Sequence, residues 1–227
     1  MAATGRVAVG PPEARCIVVL APHPDDESLG CGGLIALASR RGASVTVVFA
    51  TDGDDLLVAA EPRDVAGRRR AQGAEACEIL GARPAFLGFP DGRLGDRLPE
   101  LASALDTCFA EMRPDLVVLP WPGDAHPDHR ALNRALAESA IGPDVIVWGC
   151  EIWSPLPVNR LVDISDVIDD KSRAVAAHTA DALLDPDAVL GLNRYRAGGV
   201  RTGAKYAEAF LEATAAEYRA WVASLDA

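Results

Sequence analysis

The sequence predicts an α/β fold, an open and mostly parallel sheet with helices on both faces, as in Rossmann-like proteins. Two observations predict it. Short β-branched runs alternate with longer helical segments along most of the chain. Polar clusters follow two of these runs, at the strand ends where open α/β sheets bind ligands. No linker or internal repeat interrupts the 227 residues, so we expect a single domain over residues 1–227.

The beginning of the chain has the pattern strand, helix, strand. Residues 16–21 and 44–50 are apolar, β-branched runs without charges, which is typical of buried parallel strands. Between them, residues 28–41 carry leucines at helical spacing and end just before Gly42. That ending favours a helix with a left-handed cap. Together the three segments predict a βαβ unit.

The same alternation continues towards the C-terminus. We expect helices over residues 64–80, 99–112 and 129–141, and strands over 115–119 and 145–148. Residues 206–225 are expected to form a closing helix, because their larger side chains follow a helical stripe. The proline- and glycine-rich pieces at 89–92 and 120–123 are expected to be loops at strand ends.

Composition narrows the classes of function. Acidic residues outnumber basic ones, 33 to 22, and the formal net charge is −11, so we expect no nucleic-acid partner. The apolar runs are far shorter than the ~30 Å core of a bilayer requires, and no signal peptide is evident, so no membrane span is expected. The five cysteines are widely spaced without a C-x-x-C pair, which favours a reducing, cytoplasmic location.

Two polar clusters carry the chemistry. The first predicted strand leads into residues 22–27, PHPDDE, and the strand ending near Pro120 leads into residues 124–129, DAHPDH. Both clusters are expected at the carboxyl edge of the sheet, where their carboxylates would repel one another without a cation. Mixed imidazole and carboxylate ligands are typical of catalytic zinc, whereas structural zinc sites are richer in cysteine. Solvated loops with aspartate helix caps are the alternative.

On these residues the chain resembles the PIG-L/LmbE-type zinc de-N-acetylases, which act on N-acetylglucosaminyl and related substrates. The motif A/P-H-P-D-D-E is matched by residues 22–27, and H-P-D-H is matched in full by residues 126–129. Weaker matches to other motifs of the family occur in the same order as in that family, so the resemblance covers most of the chain. They lie at residues 69–72, 86–92, 162–165 and 203–210.

The resemblance implies a ligand set and a mechanism. Zinc would be held by His23, Asp26 and His129, and iron(II) is a second candidate metal for such a site. Asp25 would be the general base, and His126 would stabilise the oxyanion or protonate the leaving amine. We also expect Asp128 to hydrogen-bond His126 and to fix its tautomer.

The resemblance also implies substrate contacts. Arg69 or Arg70 would contact the sugar, and Asp91 and Gly92 would line the site. The alternatives are a solvated helix face for the arginines and a simple turn for the loop. Two departures from the family pattern, Gln72 in place of a glutamate and the sequence of residues 178–181, imply that substrate contacts differ.

We therefore expect a hydrolase that removes the acetyl group from a small N-acetylglucosamine-type molecule or a related amino-sugar conjugate. One alternative is an amidase for another N-acyl substrate, a thiol conjugate or an antibiotic precursor. Another is a non-catalytic metal- or carbohydrate-binding module, in which Asp25 and His126 would have no role. A nucleotide-binding enzyme is disfavoured, because PHPDDE replaces the glycine-rich phosphate loop and its carboxylates would repel phosphate. The sequence leaves open whether the chain forms a homo-oligomer.

Overall fold

An eight-stranded sheet forms the centre of the protein in a computed structural model, which describes residues 7–54, 64–178, 185–200 and 203–225. In chain order the strands are β1 (Ala8–Val9), β2 (Cys16–Ala21), β3 (Ser44–Thr51), β4 (Arg83–Phe89), β5 (Leu116–Pro120), β6 (Ile146–Cys150), β7 (Arg160–Asp163) and β8 (Ala207–Thr214). Their order across the sheet is β1-β7-β8-β6-β5-β2-β3-β4. Only β8 runs antiparallel to its neighbours within the described chain. The predicted mostly parallel sheet is confirmed.

Helices cover both faces of this sheet. They are α1 (Asp26–Arg40), α2 (Val65–Leu80), α3 (Leu98–Met112), α4 (Pro127–Glu138), α5 (Ile168–Ala177), α6 (Pro186–Ala197) and α7 (Ala215–Leu225). One core lies between the sheet and α1, α2 and α5, and the other lies between the sheet and α3, α4 and α7. No helix in the described residues is long and apolar enough to cross a membrane.

Strand β2 shows why the apolar runs lack a polar face. Ile17 and Val19 point into the first core, whereas Val18 and Leu20 point into the second. Because successive side chains of a strand alternate between the faces, a strand covered on both sides is apolar throughout. The prediction of buried parallel strands is therefore confirmed.

The expected helix over residues 206–225 is wrong in its first half. Residues 207–214 form β8, which pairs with β6 and β7 in the middle of the sheet, and only α7 is helical. The segment AEAFLEAT is rich in alanine and glutamate, which favour helices locally. Pairing with two neighbouring strands outweighs that local preference. Strands β1, β4 and β7 and helices α5 and α6 were also not anticipated.

A buried ion pair ties β8 to α1 and α5. Lys171 of α5 donates to Glu208 of β8 at 2.6 Å and to the carbonyl oxygen of Leu29 at 2.9 Å. Glu208 also accepts from the backbone amides of Gly33 and Leu34. In an unbroken α1, the carbonyl oxygen of Leu29 and the amides of Gly33 and Leu34 would form backbone hydrogen bonds within the helix, from residue i to residue i−4. The backbone of α1 leaves helical geometry at Cys31, and the ion pair satisfies the groups released there.

Adjacent strands bring the two polar clusters together. Strands β2 and β5 pair in parallel, with Ile17 opposite Leu116. The loop after β2 leads into α1, and the loop after β5 leads into α4. Both loops therefore lie at the carboxyl edge of the sheet, side by side, as the sequence predicts.

Candidate metal centre and active site

Three buried side chains from the two clusters meet at one oxygen atom. Asp26 Oδ2 lies 3.1 Å from His23 Nδ1 and 3.3 Å from His129 Nε2. Asp26 is the first residue of α1, His129 lies in the first turn of α4, and His23 lies in the loop after β2. The exposed fractions are 8% for His23, 3% for Asp26 and zero for His129. The two loops thus bring two imidazole rings and a carboxylate together away from solvent.

The donor set fits a divalent metal. In a tetrahedral zinc site with bonds of about 2.0–2.1 Å, neighbouring ligand atoms lie roughly 3.4 Å apart. Both distances from Asp26 Oδ2 are close to that spacing. His129 Nε2 is also buried and has no hydrogen-bond partner in the described chain, although Asp26 lies within ion-pair distance. A metal ion bound to this nitrogen would satisfy it.

The electrostatics of the cluster favour positive charge. Burial lowers the pKa of His129, but Asp26 and Asp124 outweigh burial and raise that pKa to about 9. The pKa of His23 is likewise raised well above its usual value, because Asp128, Asp26 and Asp91 outweigh its burial. Carboxylates that hold protons on two histidines would hold a metal cation in their place.

Among the residues that the structure describes, two trios of side chains have ligand atoms that all lie within 4.8 Å of one another. The first is His23, His126 and His129, and the second is His23, Asp91 and Asp128. His126 already uses Nδ1 to accept a hydrogen bond from the backbone amide of Asp128 at 3.2 Å. The carboxylate of Asp128 is likewise engaged by backbone amides. Asp26 Oδ2 is engaged as well, because it accepts from the backbone amide of His23 at 2.9 Å. These contacts therefore do not rank the possible ligand sets.

Carboxylates lie behind both histidines of the cluster. Asp124 Oδ1 lies 3.2 Å from His129 Nδ1, and it also accepts from the amide of His126. On the other side, His23 Nε2 lies 3.0 Å from Asp91 and 3.3 Å from Asp128. A carboxylate at the second ring nitrogen fixes the tautomer and orientation of a metal-binding histidine. Asp124 had no role among the sequence-based expectations, and its position in the DAHPDH cluster was the available signal.

The predicted contact between Asp128 and His126 needs a correction. The backbone amide of Asp128, not its carboxylate, bonds His126 Nδ1. The carboxylate accepts from the amides of Gly92 and Leu94 at 2.8 and 3.2 Å and lies against His23. His126 is the N-cap of α4, so its Nδ1 faces the free amides of the first turn. The tautomer is still fixed, with the proton on Nε2.

Asp25, next to Asp26 in the chain, has a strained backbone conformation. Its φ of 139° is left-handed and costs about 1–3 kcal/mol for a residue other than glycine. It occupies the N-cap position of α1 but makes no capping hydrogen bond. Burial and then the charge of Asp26 raise the pKa of the Asp25 carboxyl to about 7, although Arg69 opposes the shift. This carboxyl group can exchange a proton near neutral pH.

The two candidate arginines lie in different surroundings. Arg69 is only 8% exposed and donates from Nη2 to Asp25 at 3.0 Å and to the carbonyl oxygen of Pro24 at 2.6 Å. Arg70 donates to Asp52 at 2.7 Å, and its guanidinium lies 5.0 Å from the centre of the Phe86 ring. Arg69 therefore faces Asp25, whereas Arg70 faces the loop after β3.

Glu27 supports the loop and is not part of the ligand cluster. It is 1% exposed, accepts from the amide of Asp25 at 3.0 Å and lies 2.9 Å from His178 Nε2. His178 belongs to the second departure from the family pattern. The remaining residues of that departure, 179–181, lie outside the described residues.

Comparison with known proteins agrees with this geometry. A family model described as PIG-L, GlcNAc-PI de-N-acetylase, matches residues 18–140, more than half of the chain and both clusters. The chain belongs to the PIG-L family.

Individual PIG-L relatives and one solved structure extend the match. A diacetylchitobiose deacetylase of Thermococcus kodakarensis is 30% identical over 188 residues, which cover 73% of this chain and 70% of that protein. A probable N-acetyl-alpha-D-glucosaminyl L-malate deacetylase 2 of Bacillus cereus is 29% identical over 193 residues, covering 75% and 86%. A conserved protein of Thermus thermophilus, TT1542, is 32% identical with a TM-score of 0.73, covering 86% of this chain and 93% of that one.

Proposed function

We propose that this PIG-L protein is a zinc-dependent de-N-acetylase that hydrolyses the acetamide of a small N-acetylglucosamine-type molecule or a related amino-sugar conjugate. The single observation that carries the proposal is the meeting of His23 Nδ1 and His129 Nε2 at Asp26 Oδ2. The names of the relatives, which are deacetylases of acetylated amino sugars, give further support.

In this proposal His23, Asp26 and His129 hold the metal through those three atoms. Three protein ligands leave one position of a tetrahedral ion open, as in catalytic zinc sites. Iron(II) is a second candidate, because histidine and carboxylate ligands suit both metals. Zinc bound there would supply Lewis-acid activation: it would lower the pKa of water to about 7 and polarise the amide carbonyl.

Asp25 is assigned the proton transfers. It accepts a proton from water as the water oxygen bonds to the carbonyl carbon. When the carbon–nitrogen bond breaks, Asp25 returns that proton to the leaving amine, and the products are acetate and the free amino sugar. A pKa raised to about 7 suits both steps, since the same group must take up and release a proton.

His126 is assigned the stabilisation of the oxyanion that forms in the tetrahedral intermediate. Because its Nδ1 accepts from the amide of Asp128, its proton lies on Nε2 and is available for donation. A neutral donor aimed at developing negative charge stabilises the tetrahedral intermediate. Burial and the neighbouring histidines lower the pKa of His126, which favours this neutral form. Of the two roles implied for His126, these contacts support oxyanion stabilisation.

Acetate release tests the proposal. The purified protein is assayed on N,N′-diacetylchitobiose and on methyl N-acetylglucosaminide, before and after chelation and after addition of zinc or iron(II). We expect activity that chelation removes and metal restores, loss of bound metal in Asp26→Asn, and full activity in the exposed control Asp169→Asn. A protein that binds zinc but releases no acetate from any acetylated glucosaminide would be a metal-binding module instead.

A further inference from the structure

We infer that the preferred substrate carries a negatively charged group, a phosphate or a carboxylate, which Arg93 and Arg130 bind in a cavity beside the metal centre. The inference rests on the proposed function and narrows its substrate class. Neither arginine belongs to the motifs that define the metal centre.

The cavity shares a wall with the centre. It has a volume of about 370 Å³ and lies between the loop after β4, the start of α4 and the end of α7. Asp128 and Gly92 line it, and Asp128 Oδ2 lies 3.3 Å from His23 Nε2. The volume is within the range of about 300–1,000 Å³ found for ligand sites. A substrate whose acetamide is at the metal would have to pass Gly92 and Asp128 to reach this space.

The lining is basic in an acidic protein. Arg93, Arg130 and Arg134 line the cavity, although the chain carries a formal charge of −11. Arg130 directly follows His129, and Arg134 lies one turn further along the same face of α4. Three guanidinium groups around one cavity create a local positive field that attracts anions against the overall charge.

Two of these arginines lack a side-chain partner among the residues that the structure describes. Arg93 and Arg130 are exposed and make no side-chain hydrogen bond or ion pair with any residue that the structure describes. Arg134 makes another contact, so the inference does not depend on it. By contrast, Arg69 and Arg70 are each paired with an aspartate. Guanidinium groups left unpaired beside a cavity are suited to bidentate binding of phosphate or carboxylate.

The acidic residues of the lining do not cancel this field. Asp128 is 1% exposed, and its carboxylate is occupied by the amides of Gly92 and Leu94 and by His23. Asp96 is the other acidic residue lining the cavity, and three arginines share that lining with it. An incoming anion therefore meets an excess of positive charge.

The relatives of this chain leave open whether its substrate is neutral or anionic. Two relatives of nearly equal identity are named for substrates that differ in charge, since diacetylchitobiose is neutral and the malate conjugate is anionic. Their names alone do not decide between the two classes. Arg93 and Arg130 favour the anionic class for this protein.

The test compares kcat/KM for three substrates: N-acetylglucosamine 1-phosphate, N-acetylglucosaminyl malate and neutral methyl N-acetylglucosaminide. We expect at least one anionic substrate to be preferred over the neutral one, and the better of the two identifies phosphate or carboxylate. In Arg93→Gln and Arg130→Gln the ratio of anionic to neutral kcat/KM should fall roughly tenfold each, the effect of losing one charged hydrogen bond. Damage to folding would lower both rates and leave the ratio unchanged.

Arg41→Gln is the matched control, because it removes one exposed arginine beyond the far end of α1. Its ratio should equal that of the parent protein; an equal fall there would mean a general charge effect and overturn the inference. Equal kcat/KM for all three substrates would also overturn it, while the proposed deacetylase function stands. If no substrate releases acetate, the proposed deacetylase function is wrong. Calorimetry would then test the anion site separately, by comparing the affinity for glucosamine 1-phosphate with the affinity for methyl glucosaminide. Weaker binding of the phosphate in both arginine variants would still support it.

Discussion

Arg69 restrains Asp25 through two hydrogen bonds. Its Nη2 donates to Asp25 Oδ2 at 3.0 Å and to the carbonyl oxygen of Pro24 at 2.6 Å. The residue it holds has a left-handed φ of 139° and a carboxyl group that makes no capping bond to α1. A strained conformation persists only where its surroundings hold it in place. Arg69 is one such restraint, and the hydrogen bond from the Asp25 amide to Glu27 is another.

Replacing Arg69 should therefore reduce kcat more than it changes KM. Arg69→Met removes both hydrogen bonds and leaves Asp25 free to move, so we expect kcat to fall about 10- to 100-fold, as when supporting residues of a metal site are lost. Steady-state kinetics on a saturating acetylated glucosaminide measure the split. Arg70→Gln is the contrast on the same helix, because Arg70 contacts Asp52. A rise in KM alone in Arg69→Met would instead make Arg69 a sugar-binding residue, as the family resemblance implies.

Asp25 and Asp26 are neighbours in sequence but should behave differently when changed. Asp25→Asn is expected to keep its metal and to lose about 10²- to 10⁴-fold in kcat, since an amide cannot accept the proton of water. Asp26→Asn should lose metal instead, because it removes the anionic ligand. Metal content by mass spectrometry and kcat, measured on the same preparations, separate the two. Near-normal turnover in Asp25→Asn would remove Asp25 from the role of base.

The meeting of the two polar clusters was predictable from sequence, because it depends on topology. Two polar clusters that follow neighbouring parallel strands must meet at one edge, whatever the details of the loops. The direction of a single side chain is a different matter. Asp128 turns its carboxylate to His23 and its amide to His126, and this depends on the backbone of the first turn of α4. No spacing rule distinguishes those two contacts.

Strand β8 was missed for a similar reason. Because both faces of β8 are buried, its sequence does not alternate between apolar and polar residues as a half-exposed strand does. Its alanines and glutamates also favour a helix locally. What makes it a strand is the pairing with β6 and β7, whose residues are far away in the sequence. Glu208 of this strand is 1% exposed and faces a buried lysine.

His178 should make the stability of the protein depend on pH. Burial lowers its pKa, but the charge of Glu27 outweighs burial, so its pKa in the folded protein is raised above 6.5. A raised folded pKa contributes stability that is complete below the unfolded pKa and is lost as the pH rises through the folded pKa. The parent protein should therefore exceed His178→Gln in stability by more at pH 5.5 than at pH 9. Urea unfolding at the two pH values measures this, and a difference that grows with pH would contradict the assignment.

The buried pair of Lys171 and Glu208 predicts a non-additive pair of substitutions. Lys171→Met leaves the carboxylate of Glu208 buried without its cation, which should cost about 3–5 kcal/mol of unfolding free energy. Adding Glu208→Gln removes that charge but keeps an oxygen for the amides of Gly33 and Leu34. The double variant should therefore be more stable than Lys171→Met alone, as urea denaturation would show. If the double variant is the less stable of the two, Glu208 acts mainly through both of its bonds to α1, and the charge of Lys171 matters little.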